Sequence, residues 1–335
     1  MDNALQLRDN VTVQGTSPKT ILRKTAMRRA KVASILGFGH NDIITDQPDL
    51  FKVGDGILIS SPKSGGFSDT TGTLTRREGD TWFFSRTHNM DYNESASVST
   101  LHPLVEAVDV SDAGIEDLVL DGSSAQNGHI NGCRGSAFYA LRADRITARR
   151  IVARDFNGDG FSFQTCDDMT LLDCVAEDCL GNGFHPGSGS NRYRIAGCAA
   201  RGCHESGLFY CLRVRDSILE DSIFENNRGP GIFIWARDDR HINRRLTIRR
   251  NGGCGIAFMD VPPTHASSDH VFENCLLEEN CATDGEAEVL LQGHARNIRL
   301  TGLRIRQRPG KVGILATKTA GPYSEEDCII TSASG

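Results

Sequence analysis

The chain has 335 residues, of which 39% are hydrophobic and 24% are charged, and its formal net charge at pH 7 is −6. This composition is typical of a folded, water-soluble protein. The negative balance disfavours a nucleic-acid partner, which selects for a basic face. Because no stretch approaches 18 consecutive apolar residues, we expect neither a membrane span nor a membrane partner.

The first 25 residues are predicted to form an opening rung of a stacked structure. Residues 5–22, LQLRDNVTVQGTSPKTIL, have the pattern of a strand, a turn and a second strand. The amino terminus, MDNALQLRDN, lacks the apolar core of a signal peptide. We therefore expect either a protein that stays inside the cell or a leader that lies outside this chain.

Residues 26–105 break the pattern that governs the rest of the chain. Residues 51–60 (FKVGDGILIS) are predicted to be a strand with an internal Gly-Asp-Gly turn. Residues 72–76 and 81–85 are predicted to pair as a hairpin around Glu78 and Gly79. We interpret residues 26–105 as a β excursion that packs on the side of the stacked region.

A fixed repeat dominates residues 106–335. Five glycines each open a short apolar strand, at intervals of 23, 24, 24 and 24 residues: Gly160, Gly183, Gly207, Gly231 and Gly255. A constant interval of this length indicates stacked repeats, and the units lack the 3.6-residue periodicity of helical repeats. We predict an all-β fold, a parallel β-helix in which each unit is one rung.

Within each unit, the first and third residues after the glycine are apolar. Alternation with a period of two places such pairs on one face of a strand. Neighbouring rungs would lie about 4.8 Å apart, so equivalent positions stack into columns. The predicted inward column consists of Phe161, Phe163, Phe184, Pro186, Leu208, Tyr210, Ile232, Ile234, Ile256 and Phe258.

The eleven cysteines are interpreted as packing residues. Cys174 and Cys198 are 24 residues apart, as are Cys179 and Cys203, so each pair occupies one column of the stack. Parallel side chains on successive rungs disfavour a disulfide. Because no CxxC pattern occurs, the sequence predicts no zinc site and no other metal centre.

The outward face of the same strands defines the candidate site. Stacking the units brings polar and aromatic side chains onto one wall, and exposed aromatic rings beside polar groups suit a sugar ring. The candidates are Tyr139, Gln164, His185, His204, Glu205, Arg213, Trp235, Arg237 and Asp238.

Two stretches of the repeats, GNGFHPGSGSNRYRI and SGLFYCLRVRDSILED, carry a family resemblance, as do VGDGILIS and TGTLTRREGDTWFFS in the excursion. They resemble bacterial right-handed β-helix repeat proteins of the pectate-lyase-like superfamily. The resemblance implies a single-stranded right-handed parallel β-helix, a polysaccharide or oligosaccharide partner, and a location outside the cytoplasm. It also implies that the glycan is acidic and, in some members, that calcium is bound.

The chain departs from two patterns of that superfamily. Mannuronan C5-epimerases carry Asp-Pro-His on the active strand, whereas this chain has His185-Pro186-Gly187, and the next-rung acidic position falls on Cys211. Residues 155–160 (DFNGDG) are similar to the start of a calcium loop, but the twelfth residue is Cys166 where Glu is needed. We interpret that segment as a plain rung turn.

For an acidic sugar, β-elimination needs a cation on the carboxylate, a base and an acid. Arg213 and Arg237, one rung apart, are predicted to hold the carboxylate. His185 or Tyr139 is predicted to take or return the proton. The remaining candidates are assigned to substrate binding: Gln164, His204, Glu205, Trp235 and Asp238.

Two other interpretations remain open. A glycoside hydrolase would need two facing carboxylates, for which Glu205 and Asp238 are the candidates. Alternatively the chain is a non-catalytic glycan-binding or structural solenoid. In that case His185 is a hydrogen-bonded surface residue, and the arginines pair with nearby aspartates.

Overall fold

A computed structural model describes residues 1–16 and 20–333, and nearly all of its regular structure is β. Ten parallel strands form one sheet, here called the front sheet, in which each strand pairs with strands of neighbouring rungs. Its strands are Leu5–Gln6, Val105–Val108, Ser136–Leu141, Asp159–Gln164, Phe184–Gly187, Leu208–Tyr210, Ile232–Ile234, Ile256–Phe258, Ala287–Leu291 and Val312–Ala316.

The second sheet contains eighteen strands arranged as two parallel columns. Gly114–Asp121 and Thr147–Arg154 are long enough to belong to both columns. The first column continues with Thr12–Gln14, Thr170–Leu172, Arg194–Ala196, Ile218–Glu220, Ile242–Arg244, Val271–Glu273, Ile298–Thr301 and Tyr323–Glu326. The second continues with Ile21–Arg23, Val175–Glu177, Ala199–Arg201, Ile223–Glu225, Thr247–Arg249, Leu276–Glu278, Arg304–Gln307 and Ile329–Ser332.

Three stacked columns make each coil a rung of a right-handed parallel β-helix, which confirms the predicted fold class. The opening rung gives one strand to each column: Leu5–Gln6, Thr12–Gln14 and Ile21–Arg23. Part of its predicted turn, residues 17–19, lies outside the described residues.

The core runs through the middle of the coil. All ten side chains of the predicted inward column are buried. Phe161 and Phe184 stack on successive rungs with ring centroids 5.0 Å apart and planes 8° apart. The cysteine ladder is also present, since the backbone N–H of Cys174 donates to Cys198 Sγ across one rung.

The repeated glycines lie where successive rungs come closest. A Cβ added to any of the five would lie 2.6–2.8 Å from a carbonyl oxygen of the next rung. For Gly207 that oxygen belongs to Gly231, and the Asn227 side chain is only 2.9 Å away. A side chain at these positions would therefore push two paired backbones apart.

A buried asparagine ladder ties the rungs together beside the glycines. The backbone N–H of Asn227 donates to Asn251 Oδ1 at 3.0 Å, and the backbone N–H of Asn251 donates to Asn280 Oδ1 at 3.1 Å. The last backbone N–H, that of Asn280, donates to the Glu288 carboxylate at 2.9 Å. These bonds satisfy backbone groups in the turns that the parallel sheets leave unpaired.

Within the predicted excursion, residues 29–99 form a six-stranded antiparallel sheet with its own apolar core, and Val105 already belongs to the front sheet. The predicted strand from residue 51 begins later, because residues 52–55 close a turn through the Asp55 carboxylate. The sheet consists of Arg29–Lys31, Asp42–Ile44, Gly56–Ser60, Thr70–Glu78, Thr81–Phe84 and Ser97–Ser99.

The helices described are three short 3-10 turns: Pro48–Leu50, Ser124–Gln126 and Pro263–His265. Within the described residues, no helix is long and apolar enough to cross a membrane.

The excursion reaches the front sheet at two points. Arg86 forms an ion pair of 2.6 Å with Glu106 on the strand Val105–Val108. The Arg134 guanidinium donates to the backbone oxygen of Phe67, which places the segment around Phe67 over the outward face of the front sheet.

We predict that Gly207→Ala lowers the free energy of unfolding by about 1–3 kcal/mol, the usual cost of overpacking. The new methyl group would meet the Gly231 carbonyl oxygen, and neither backbone can retreat without breaking the front sheet. Urea denaturation followed by circular dichroism measures the change. Gly37→Ala is the control, because its added Cβ would meet only ordinary contacts of 3.4 Å or more.

Candidate functional site

A cavity of about 290 Å³ opens on the outward face of the front sheet. Its floor is formed by the front strands, and its side walls by the loop before Ser136–Leu141 and by Phe67 of the excursion. The lining residues are Phe67, His129, Asn131, Gly132, Cys133, Asp159, Asn182, His185, Glu205, Phe209, Cys211, Phe233, Trp235 and Met259.

His185 lies at the bottom of this cavity and is held by Asp159. The side chain is 5% exposed, and its Nδ1 lies 2.6 Å from Asp159 Oδ2. The other ring nitrogen, Nε2, is buried without a hydrogen-bond partner. Burial has the largest single effect and disfavours the charged imidazole, but Asp159 and Cys133 together outweigh it and raise the pKa of His185 to about 10.

The loop of residues 131–135 covers this pair from the amino-terminal side. Ser162 Oγ donates to the Gly132 oxygen at 2.7 Å, and the Tyr139 hydroxyl donates to the Cys133 oxygen at 2.9 Å. A Cβ on Gly132 would collide with the Asp159 carboxylate and with His185 Nδ1. Only glycine therefore lets the loop close over the pair, and this closure fixes the position of Cys133.

Two thiols face the free nitrogen of His185. Cys133 Sγ, Cys211 Sγ and a ring nitrogen of His185 lie within 4.8 Å of one another. The Cys211 thiol stabilises the thiolate of Cys133, and with the neighbouring His185 it lowers the pKa of Cys133 despite burial. The same interaction and its own burial raise the pKa of Cys211.

Aromatic rings form the carboxy-terminal half of the cavity. Phe209 stacks on Phe233 with centroids 5.5 Å apart and on Trp235 at 6.0 Å. His185 joins this row, since its ring centroid lies 5.0 Å from that of Phe209. The cavity thus has a flat apolar surface directly beside the buried imidazole.

Glu205 stands at the rim on the other side of the rings. Its Oε2 accepts a hydrogen bond of 2.8 Å from Asn182, whose backbone N–H donates to Asp159 at 2.7 Å. The residue as a whole is exposed, but its carboxylate is partly desolvated. This desolvation, together with the charge of Asp159, raises the pKa of Glu205.

The structure brings three of the predicted site residues into the cavity: His185, Glu205 and Trp235. Two more line adjoining cavities. Gln164 is buried beside Cys211 and Trp235 in a cavity of about 300 Å³, and His204 lies beside Glu205 in one of about 420 Å³. Both flanking cavities share lining residues with the central one, and the three adjoining cavities are here called the groove.

Two predicted residues lie inside the protein instead. Tyr139 is 1% exposed, because the loop of residues 131–135 covers its rung and binds its hydroxyl. Asp238 is fully buried in a rung turn, where it accepts the backbone N–H groups of Val214 and Trp235 at 3.1 Å. Burial raises the pKa of Asp238 well above its usual range. Neither residue is placed to touch a substrate.

Arg213 and Arg237 also lie away from the cavity. Each occupies a left-handed turn position after its front strand, with φ of 64° and 58°. Arg237 donates to the Thr264 backbone oxygen and contacts His265. Because the chain has already turned off the front sheet, neither guanidinium is among the residues that line the groove.

The segment 155–160 is a rung turn that leads into Asp159–Gln164. Its side-chain oxygens are bonded within the protein: Asp155 accepts from Ser124, Asn157 from Lys24, and Asp159 from Asn182. These three side chains therefore offer a calcium ion no oxygen that is free of hydrogen bonds within the protein, unlike the ligands of a calcium loop.

Sequence reasoning missed Cys133 and Phe67 as cavity residues. Phe67 belongs to the excursion, whose docking position no repeat pattern specifies. Cys133 lies in the irregular loop GSSAQNGHINGCRG, outside any column. The glycines and asparagines of that loop were the only available signal, since such residues favour tight turns against a neighbouring surface.

We predict that Cys133 is the first cysteine to react with limiting iodoacetamide at neutral pH. The thiolate is the reactive species, and the pKa of Cys133 is lowered by its neighbours. Cys328 is the internal control, because it is the other cysteine that is not fully buried. Peptide mapping by mass spectrometry measures the order, and faster labelling of Cys328 would contradict the described environment of Cys133.

No protein-family model matches this sequence, and no curated protein matches it either. Solved structures do resemble it. The A-module of the mannuronan C-5 epimerase AlgE4 from Azotobacter vinelandii aligns with 70% of this chain and 75% of its own, at 17% identity and a TM-score of 0.52. The A-module of AlgE6 from the same organism aligns with 70% of this chain and 77% of its own, at 15% identity and a TM-score of 0.46.

A viral protein aligns over more of the chain but with a weaker score. The tailspike gp61 of Pseudomonas phage phi297 covers 98% of this chain and 69% of its own, at 11% identity and a TM-score of 0.29. At these identities the likeness concerns the fold and not the activity. The chain has a right-handed parallel β-helix fold, like that of the AlgE4 A-module.

Proposed function

We propose that this protein modifies a polysaccharide that lies in the groove of the front sheet. One observation carries the proposal: a buried imidazole fixed by a carboxylate opens into the same cavity as a row of stacked aromatic rings. Aromatic faces bind the apolar face of a sugar while polar groups beside them bind its hydroxyls. His185 then lies next to the sugar that covers Phe209 and Phe233.

The shape of the groove supports a polymeric substrate. The central cavity shares lining residues with a cavity on the Gln164 side and with another on the His204 side. Sugar units on either side of the reacting one would occupy these flanking cavities. A small metabolite would need only the central one.

The proposed reaction is β-elimination on a uronate-containing glycan. The Glu205 carboxylate takes the C5 proton, the electron pair forms the C4–C5 double bond, and the C4–oxygen bond breaks. His185 returns a proton to the leaving oxygen. Among the described lining residues of the central cavity there is no arginine or lysine. We therefore direct the sugar carboxylate towards His129 rather than towards Arg213 and Arg237.

We predict that Glu205→Gln abolishes most turnover of an accepted uronate glycan, since removal of a general base typically costs 10²–10⁴-fold. Product formation is followed by the ultraviolet absorbance of the unsaturated end and, in parallel, by reducing sugar. Glu326→Gln is the matched control, because Glu326 is exposed on the strand Tyr323–Glu326, away from the groove. Reducing ends without the absorbance would identify hydrolysis and would refute elimination.

A binding-only role is the second candidate, because the stacked rings would hold a glycan without any chemistry. We predict that Trp235→Ala weakens glycan affinity by about 10-fold, roughly 1.4 kcal/mol, as expected for a lost stacking contact. Isothermal titration measures this loss. If Trp235→Ala weakens glycan binding while neither the wild type nor Glu205→Gln turns over any glycan, the protein is a binding protein.

A further inference from the structure

We infer that Cys133, His185 and Cys211 form a binding site for a zinc-class metal ion, with the fourth coordination position open to the groove. The three ligand atoms lie within 4.8 Å of one another and belong to three different rungs or loops. This inference is tested separately from the proposed reaction, because metal binding is measured without any glycan. A metal ion on His185 Nε2 would displace the proton that the proposed reaction uses.

The type of donor selects the metal. Two thiolates and one imidazole are soft to intermediate ligands that suit Zn²⁺, whereas Ca²⁺ and Mg²⁺ prefer oxygen. Zinc sites with three protein ligands and one open position are the catalytic kind, and four protein ligands are typical of structural sites. Metal bonds of about 2.0–2.3 Å would hold the donor atoms roughly 3.3–3.8 Å apart. The donor atoms, which lie within 4.8 Å of one another, would have to move together by up to about 1–1.5 Å to reach this spacing.

The imidazole is oriented as a metal ligand. Nδ1 is bonded to Asp159, so the nitrogen that faces the thiols is Nε2, and it is buried without a partner. An unpaired buried nitrogen costs free energy, which a bound metal would recover. Metal-binding histidines commonly donate their second N–H to a carboxylate, which fixes the ring and strengthens the ligand.

The backbone at each of the two cysteines is also held by hydrogen bonds before any metal binds. The backbone N–H of Cys133 donates to Asn131 Oδ1 at 2.9 Å, and its oxygen accepts from Tyr139. The backbone N–H of Cys211 donates to the Pro186 oxygen at 3.0 Å. Cys133 and Cys211 both line the cavity, so the open position faces the space where Phe209 and Trp235 lie.

The cysteines of the ladder inside the coil differ from Cys133 and Cys211. The thiols of Cys174, Cys179 and Cys198 donate to backbone carbonyl oxygens inside the coil, where no histidine is nearby in the described hydrogen-bond network. They are packing residues, as the sequence predicted. Cys133 and Cys211 differ because they face the groove and share a histidine.

The test is a titration of the reduced, metal-free full chain with Co²⁺ and then with Zn²⁺. We expect one equivalent of cobalt to give thiolate-to-cobalt charge-transfer bands with tetrahedral d–d absorption, and zinc to displace them. Zinc should also protect Cys133 from iodoacetamide. Asp159→Asn should weaken zinc affinity by about 10–100-fold, as other carboxylates behind histidine ligands do.

Cys133→Ser and Cys211→Ser should weaken zinc binding more than Asp159→Asn, and Cys328→Ser should leave it unchanged. Circular dichroism confirms that each variant keeps its β fold. The inference is overturned if the wild type binds no cobalt with thiolate bands, or if both serine variants bind as the wild type does. A Cys133–Cys211 disulfide that persists under reducing conditions would also overturn it.

Discussion

The close approach of successive rungs at the glycine column is the constraint on which this molecule depends. At Gly160, Gly183 and Gly207 there is no room for a Cβ, because the carbonyl oxygen of the next rung occupies that space. Any larger residue would force the coils apart and break two backbone ladders at once. The regular interval of these glycines is therefore a consequence of stacking and not only of local turn geometry.

That constraint also builds the site. His185 follows Asp159 by 26 residues, and Cys211 follows His185 by 26, yet successive members are neighbours because about one rung separates them. Asp159 and His185 stand on strands of the front sheet, and Cys211 directly follows the strand Leu208–Tyr210. Rigid placement of this kind keeps reacting groups aligned without a cost in conformational entropy when a ligand binds.

The repeat pattern predicted the rungs and the columns, since period and alternation are properties of the sequence alone. Phe209, Phe233 and Trp235 lie on the outward face because alternation requires it. Tyr139 followed the same rule and still became buried, because the 131–135 loop covers its rung. The convergence of Cys133 on His185 was not predictable, since it depends on how an irregular loop folds back.

The cavity lies at the boundary between the rungs whose outward face is covered and those whose outward face is open. On the amino-terminal side, the excursion and the 131–135 loop cover the front sheet, so Tyr139 and Ser162 are buried. Beyond His185 the outward face carries the partly exposed rings of Phe209, Phe233 and Trp235. The buried pair of Asp159 and His185 thus meets an aromatic surface at a single rung. At that rung His185 Nε2 can hold a proton or a metal ion, but not both. Metal occupancy would therefore decide which of its two proposed roles His185 takes.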